Sequence, residues 1–134
     1  MQALVKQKGL ESKIICDSAG TIDYHRGKPA DARMQKHASL RGYELSSISR
    51  PFENEDFELF DLIITMDDDN YLQIKWFDQR KSYTDKIRRM TDFCSTSQVS
   101  EVPDPYYGGN QGFENVLDIL EDACQGLLEY VTAK

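Results

Sequence analysis

The chain has 134 residues, of which 40% are hydrophobic and 29% charged, and its formal net charge is −7. This length and composition predict a single globular domain over residues 1–134. The acidic balance argues against a nucleic-acid partner. The sequence has no long apolar run and no signal-peptide pattern, so it predicts neither a membrane partner nor secretion. Three cysteines without a Cys-x-x-Cys pair favour reduced thiols in the cytoplasm and offer no zinc framework.

The first elements predicted along the chain are a helix, a strand and a second helix. Leu4 and Val5 lie on one helical face, and Gly9 marks the end of that helix. This helix has an end signal but no start signal, so we expect it to be the second part of a longer helix. The apolar residues 14–16 predict a buried strand, and residues 30–41 predict a helix.

The middle of the chain predicts a short helix, the clearest strand, a capped helix and a weaker strand. Residues 54–60 are helical in pattern, and residues 62–66 form an apolar run typical of a buried strand. Asp67 to Asn70 follow that strand and are suited to cap the next helix. Residues 86–90 are more polar and predict an edge strand.

The final predicted element is a long helix, since apolar residues recur at helical spacing from Phe113 to Val131. Strands alternating with helices indicate a parallel sheet with helices on its faces. In such a sheet, ligands bind beyond the carboxyl ends of the strands. We therefore expect the loops at residues 17–29, 67–70 and 102–112 to lie together.

The loop after residue 101 carries the clearest chemical signal. Asp104 lies between Pro103 and Pro105, and Tyr106 and Tyr107 follow. Each proline fixes its own φ and restricts the residue before it, so the carboxylate is held stiffly. A rigid acid beside an aromatic wall suits protonation of a leaving group next to a flat substrate. A surface turn is the alternative, because Pro, Asp and Gly are common turn residues.

The sequence offers no obvious nucleophile for such an acid. A Cys-x5-Arg spacing would place a thiolate under a phosphate held by backbone N–H groups and a guanidinium. The residues six positions after the three cysteines, Cys16, Cys94 and Cys124, are Ile22, Ser100 and Tyr130. None is an arginine. We expect Cys16 and Cys124 to be small buried hydrophobic residues.

Two further loop features have alternative interpretations. Asp67 and Asp69 follow a buried strand, as in magnesium-dependent phosphoaspartyl enzymes, but they are also typical of a helix N-cap. Chelator sensitivity would separate these two interpretations. Tyr24 and His25 are either the rim of a substrate site or an exposed loop.

Together, these loops resemble those of the low-molecular-weight protein tyrosine phosphatases, and the resemblance covers essentially the whole chain. The segments that carry it are Asp17-Ser18-Ala19-Gly20-Thr21, Asp31-x-Arg33, Ser49-Arg50, Asp56-Phe57, Phe60-Asp61, Met66-Asp67-x-x-Asn70, residues 102–109 and Gly112-Phe113-Glu114. The resemblance implies a doubly wound, three-layer α/β fold with helices on both faces of a parallel sheet. It also implies a cysteine-dependent phosphomonoesterase, without metal or cofactor, acting on phosphotyrosine proteins or small aryl phosphates.

The resemblance assigns roles to individual residues. Asp104 matches the acid that protonates the departing phenolate and then deprotonates the hydrolytic water. Tyr106 and Tyr107 match the aromatic wall against the substrate ring, and Tyr24 and His25 match the opposite rim.

Two serines correspond to positions that support the phosphate loop in the family. Ser18 matches a serine that does so by hydrogen bonds. Ser47 falls near the position of a supporting histidine in many relatives, so this support is altered here.

The sequence departs from the family pattern at its beginning. In the family, a strand and the Cys-x5-Arg loop precede the first helix, and that strand would lie between residues 14–16 and 62–66. We expect that about 15–20 residues, or one strand, one loop and a helical turn or two, are absent. The chain as it stands is then predicted to be inactive. The alternatives are a non-catalytic pseudophosphatase that binds a partner, and an arsenate reductase, which Tyr106 and Tyr107 argue against.

Overall fold

The computed structural model describes residues 1–21, 29–105 and 109–133. Its helices and strands, in chain order, are α1 (Gln2–Gln7), α2 (Ala32–Leu40), α3 (Asp56–Leu59), β1 (Ile63–Thr65), α4 (Asp68–Phe77), β2 (Ile87–Arg89) and α5 (Gly109–Thr132). Two 3₁₀ turns, Thr84–Lys86 and Met90–Phe93, flank β2.

The two strands form a parallel ladder, with Ile63 opposite Ile87 and Thr65 opposite Arg89. Parallel strands need a crossover connection, and α4 lies in the segment that joins them. The Thr65 hydroxyl donates a further hydrogen bond of 3.2 Å to the Arg88 carbonyl, which satisfies this buried side chain.

The two faces of β1 pack against different helices. Ile64 packs against a cluster built mainly from α5 and the Met90–Phe93 turn, whereas Ile63 packs against a cluster of Phe57, Ile74 and Ile87. Neighbouring residues of a strand point to opposite faces of the sheet. Ile64 therefore contacts the helical layer on one face of β1, and Ile63 contacts the layer on the other face. The predicted α/β architecture with helices on both faces of a parallel sheet is confirmed.

Arg41, at the end of α2, clamps that helix to α5. Its guanidinium donates to Glu114 at 2.9 Å and to Asp118 at 2.9 Å, and it also pairs with Glu121. These contacts raise the pKa of Arg41 and lower the pKa of Glu114. Three carboxylates on successive turns of α5 thereby converge on a single cation.

The Met90–Phe93 turn and the loop after it lie closely against α5. A Cβ atom built at Gly126 would lie only 1.9 Å from the Phe93 carbonyl oxygen, so only glycine fits there. The Asp122 carboxylate accepts hydrogen bonds of 2.8–3.0 Å from the backbone N–H groups of residues 95–97. These bonds lower the pKa of Asp122.

The helix ends follow the sequence signals. α1 ends at a glycine with positive φ, Gly9 at +68°, and Leu10 N donates to Val5 O at 3.0 Å. This is the helix end predicted from Gly9, in which the N–H of the residue after the glycine bonds to a carbonyl of the last helical turn. Asp31 and Asp67 cap α2 and α4 by accepting the N–H groups of Arg33 and Asn70, both at 2.8 Å.

Two predictions are wrong: one strand does not form, and one helix starts earlier than expected. Residues 14–16 form no strand, and Ile15 is 82% exposed, because no ladder partner flanks this segment within the described part of the chain. The last helix starts at Gly109 rather than at Phe113. Its first turn, Gly-Asn-Gln-Gly, has loop-like composition and no apolar periodicity, so the sequence pattern misses it.

Candidate active site

Asp104 lies on an exposed loop that is fixed on its upstream side. Val102 is buried, with 6% of its surface exposed, and its N–H donates a 2.7 Å hydrogen bond to the carbonyl of Met66. Met66 immediately follows β1, so this bond ties the acid loop to the carboxyl end of that strand. The loops after β1 and around Asp104 therefore lie together, as predicted.

Two further bonds hold the segment just before the acid. The Glu101 carboxylate accepts the N–H of Asp68 at 3.1 Å, at the start of α4. The Thr91 hydroxyl donates to the Ser100 carbonyl at 3.0 Å. A helix N-terminus favours nearby carboxylates, so Glu101 both stabilises α4 and holds the acid loop against it.

The downstream side of the acid loop lies against α5. A Cβ atom at Gly112 would lie 2.9 Å from the Pro105 carbonyl oxygen, so the two backbones approach more closely than any side chain allows. Asp104 is therefore held between a strand end and the first turn of a helix. The stiffness predicted from Pro103 and Pro105 is reinforced by these tertiary contacts.

A cleft of about 480 Å³ opens beside the acid. Its lining residues are Ala30, Asp31, Arg33, Met34, Asp104, Pro105 and Phe113. The start of α2 thus faces the acid loop across the cleft. Arg33 pairs with Asp31 at 3.0 Å and lies 5.0 Å from the centre of the Phe113 ring.

The wall behind the cleft is held by stacked and ionic contacts. His37 stacks on Phe113 with ring centres 5.3 Å apart, and its Nδ1 lies 2.5 Å from Glu114 Oε2. The hydrogen bond from Arg33 lowers the pKa of Asp31. The pKa of Glu114 is lowered mainly by Arg41 and then by His37. These contacts therefore favour the charged forms of Asp31, in the cleft lining, and of Glu114, behind it.

Arg50 holds a second predicted loop, at residues 17–20. It donates to Asp17 at 3.1 Å and to Asp56 at 2.9 Å, and its own carbonyl accepts Gly20 N at 2.8 Å. Burial alone would raise the pKa of Asp56, but hydrogen bonds from Arg50 and from the Glu53 N–H outweigh burial and lower it. This arrangement fixes the start of the loop at residues 17–20.

The remaining predicted site residues are placed only in part. Tyr106, Tyr107, Tyr24 and His25 lie outside the described residues. Ser18 is exposed, and its N–H donates to the neighbouring Asp17 side chain at 2.8 Å.

Ser47 is also exposed, and it precedes Ile48, which forms an isolated bridge with Pro29. The support roles of these two serines stay predictions.

Cys16 and Cys94 lack the environment of an activated thiolate. All three cysteines are free, and Cys124 is buried in α5 as predicted, whereas Cys16 is only half-buried. Burial raises the pKa of Cys16 and of Cys94, and the Asp122 carboxylate raises that of Cys94 further. Reactive cysteines have lowered pKa values, so these side chains have the opposite electrostatic setting.

The acidic run after β1 has structural partners. Asp67 caps α4, and Asp68 pairs with Arg89 of β2. Within the described residues, no group of three or more His, Cys, Asp or Glu side chains has an arrangement that could hold a metal ion. The same residues contain no helix that is both long and apolar enough to cross a bilayer.

Sequence reasoning did not find the partners of Asp104 in the cleft. Asp31 and Arg33 were part of the family pattern, but nothing in their spacing places them opposite an acid some 70 residues away. Phe113 is both a core position of the predicted last helix and part of the family pattern, but neither signal places it beside Asp104. Its position in the cleft follows from the early start of α5, which brings the first turns of that helix beside Pro105.

A stiffly held carboxylate beyond the carboxyl end of a parallel strand defines a candidate acid–base enzyme of the doubly wound α/β class. The family model for low molecular weight phosphotyrosine protein phosphatase matches residues 1–134. A Synechocystis sp. protein named as a low molecular weight protein-tyrosine-phosphatase is 48% identical over 96% of this chain and 82% of the relative. The Bacillus subtilis phosphatase YfkJ is 36% identical over 93% of this chain and 79% of its own length.

The structural comparison agrees with the sequence comparisons. A crystal structure of the Entamoeba histolytica protein tyrosine phosphatase, with Hepes in its active site, superposes with a TM-score of 0.94 at 48% identity. It covers 98% of this chain and 84% of that one. The chain belongs to the low molecular weight protein-tyrosine-phosphatase family, whose members are phosphomonoester hydrolases.

Proposed function

We propose that this protein hydrolyses aryl phosphate monoesters, such as phosphotyrosine in proteins, through a phosphocysteine intermediate with Asp104 as the general acid and base. The observation that carries the proposal is the position of Asp104, on a loop tied to Met66 and to α5 at the edge of the cleft. The family membership supplies the reaction class.

In the first step, the thiolate sulfur of the family's Cys-x5-Arg loop, which the fusion enzyme described below supplies, attacks phosphorus, and the bond from phosphorus to the phenolic oxygen breaks. The electron pair leaves with that oxygen, which takes the proton of Asp104. In the second step, the Asp104 carboxylate accepts a proton from water, whose oxygen attacks phosphorus. The S–P bond then breaks and inorganic phosphate is released. The thiolate and the protonated form of Asp104 are thereby regenerated.

Tyr106 and Tyr107 would pack on one side of the substrate ring, and Tyr24 and His25 on the other. Ser18 and Ser47 would support the loop that holds the phosphate. These assignments rest on the match to the family's motifs. The three free cysteines support a location in the cytoplasm.

Residues 1–134 contain no Cys-x5-Arg, and burial raises the pKa of the Cys16 and Cys94 thiols. We therefore propose that these residues alone do not turn over phosphate esters. The test compares residues 1–134 with a fusion enzyme, in which the strand and Cys-x5-Arg loop of an active family member precede Met1. Turnover of p-nitrophenyl phosphate by the fusion enzyme alone, inhibited by vanadate, is the expected result.

Three outcomes would contradict the proposal. Vanadate-sensitive turnover by residues 1–134 that survives Cys16→Ser, Cys94→Ser and Cys124→Ser together would exclude the cysteine mechanism. Loss of turnover on adding a chelator would support a magnesium-dependent enzyme using Asp67 and Asp69. A folded but inactive fusion enzyme would support a non-catalytic, partner-binding protein.

A further inference from the structure

Helix α4 exposes an apolar face. Leu72 and Trp76 are 63% and 71% exposed, and they lie one turn apart on the same side of the helix. Ile74, on the opposite side, is buried against the cluster that contains Ile87. Tryptophan is on average strongly buried, so an exposed Trp and Leu on one helix face form an apolar surface without a partner in the described chain.

This apolar face continues into a cleft at the end of α4. The cleft has a volume of about 640 Å³, and its lining residues are Lys75, Trp76, Asp78, Gln79, Lys81 and Thr84. We use the name Trp76 surface for Leu72, Lys75, Trp76, Arg80 and Lys81. None of these residues lines the cleft beside Asp104.

The rim of this cleft is rigid. Asp78, which is 6% exposed, accepts the N–H groups of Ser82 and Tyr83, both at 3.0 Å. The Tyr83 ring stacks on Phe57 with centres 5.0 Å apart. Because the turn after α4 is fixed by these contacts, a ligand would not have to order it on binding.

Basic side chains outnumber accessible acidic ones at this cleft. Lys75 and Lys81 line it and Arg80 is next to Lys81 in the chain, whereas the one acid in the lining, Asp78, is buried and accepts backbone N–H groups. The nearest exposed acid on the Leu72 side of α4 is Asp69, in the first turn of the helix. Arg80 and Lys81 are exposed and make no ion pair with any other described residue. Lys75 is exposed, and its ammonium group lies 5.1 Å from the centre of the Tyr71 ring and donates to the Tyr71 hydroxyl at 3.3 Å.

We propose that the Trp76 surface docks an acidic segment of a partner protein. An apolar side chain of that segment fills the cleft beside Trp76, and its carboxylates face Lys75, Arg80 and Lys81. A concave cleft suits a protruding side chain better than a flat bilayer does.

The experiment uses the fluorescence of Trp76, the single tryptophan of the chain. The 134-residue protein is titrated at low salt with a short peptide of glutamates around one central leucine. The expected result is a blue shift of the emission as the exposed indole is covered, with affinity falling as salt is added. A peptide with glutamine in place of glutamate is the matched control and should bind far more weakly.

Variants then identify the contacts, with a labelled peptide as the probe. Lys81→Asn removes the charge but tolerates the backbone φ of +53° at this position. This change and Arg80→Gln should each weaken binding by about 2- to 5-fold. Trp76→Ala should weaken it by about 30-fold, as for an anchor residue. Lys13→Gln, an exposed lysine on another segment, should have no effect.

The proposal fails if the acidic and glutamine peptides bind equally, if neither shifts the Trp76 emission, or if Lys13→Gln weakens binding as much as Lys81→Asn. A shift produced by vesicles containing phosphatidylserine, but not by the acidic peptide, would assign the surface to membranes instead. The measurement needs no catalytic activity, so it is independent of the proposed function. The fusion enzyme has the same surface and should give the same result.

Discussion

A general acid is effective only when its carboxyl group stays within reach of the leaving oxygen, and in the role proposed for it Asp104 depends on its neighbours for this. Val102 bonds to Met66 on one side, and Pro105 lies against Gly112 on the other. The Asp104 side chain itself is exposed. Its position is therefore set by backbone contacts of the residues around it, and these contacts can be tested separately from the acid.

Asp104→Asn in the fusion enzyme should lower kcat for phenyl phosphate by about 10²–10⁴-fold, because an amide has no proton of suitable acidity to donate. The loss should be much smaller for esters with acidic phenols, whose leaving groups need no proton. Steady-state kinetics over a series of substituted phenyl phosphates measures this. Asp69→Asn, at an exposed carboxylate of α4, is the control, and an equal loss across all leaving groups would refute the role of Asp104.

Gly112→Ala should displace Pro105 and with it the acid. A Cβ 2.9 Å from a backbone oxygen costs about 1–3 kcal/mol, which exceeds the gain of up to about 1 kcal/mol that alanine normally brings to a helix. We expect a lower Tm and a kcat loss that is larger for poor leaving groups. Asn110→Ala, exposed in the same turn, should change neither quantity. A more stable Gly112→Ala variant with normal kcat would show that this contact does not position the acid.

At this scale the sequence predicted the acid but not its surroundings. Proline geometry is local, so the stiffness around Asp104 could be inferred from residues 103–105 alone. The approach of Arg33 and Phe113 to the same cleft depends on how α2 packs against α5. That packing is fixed by contacts such as His37 with Glu114, which lie far apart in the sequence and leave no local pattern.

At the scale of elements, α5 organises much of the structure. It contributes most of the larger core cluster and receives Arg41 from α2. It also carries Asp122, which binds the loop at residues 95–97, and Gly126, which admits the Phe93 carbonyl. These contacts set how closely the Met90–Phe93 turn, and hence β2, can approach the helix.

Gly126→Ala should lower the Tm by several degrees, against the helix propensity that favours alanine over glycine. The added Cβ would lie 1.9 Å from the Phe93 oxygen, so the helix and the turn must separate. Thermal melting of the fusion enzyme measures the effect. Gln125→Ala, on the exposed side of the same helix, is the control. A Gly126→Ala variant as stable as Gln125→Ala would show that the backbones separate at little cost.

The elements that the sequence predicted well are those whose signals are local. Asp31, Asp67 and Gly9 mark helix ends through bonds to residues a few positions away. The strand expected at residues 14–16 failed because a strand needs a neighbour to bond with, and apolar composition alone does not supply one. Apolar residues at strand spacing are therefore necessary for a ladder but not sufficient.

At the scale of the whole molecule, carboxylates with lowered pKa values fasten separate regions together. Asp56 joins the loop at residues 17–20 through Arg50, Glu114 joins α5 to α2 through Arg41, and Asp122 joins α5 to the loop before the acid. A group with a lowered folded pKa stabilises the fold above its unfolded pKa, which is about 3.9 for Asp and 4.3 for Glu. That stability is lost as the pH falls through the folded pKa.

The Tm should therefore be nearly constant from neutral pH down to about pH 5 and fall steeply below about pH 4. Differential scanning calorimetry of the fusion enzyme over this range is the measurement. A Tm that is highest near the isoelectric point, or constant to below about pH 3, would show that net charge rather than these carboxylates controls acid stability.

Asp56→Asn isolates one of these contacts. The Asp56 side chain is 7% exposed and accepts two hydrogen bonds from Arg50, so the change should cost about 1.5–3 kcal/mol at neutral pH. The difference from the unmodified protein should shrink as the pH falls, since protonation of Asp56 removes the same charge. A difference that is independent of pH would mean that packing, not ionisation, accounts for the loss.

The contact between Gly126 and Phe93 has a consequence for how this sequence can vary. If every position of α5 were randomised and folded variants were selected, position 126 should return glycine almost alone, while the neighbouring exposed position 125 should accept most side chains. Position 93 contributes its backbone oxygen to this contact, so no side chain at 93 could compensate for a larger residue at 126. A strict requirement for glycine at position 126, with no compensating change at position 93, would therefore indicate how closely the helix and the turn approach, without any structure being determined.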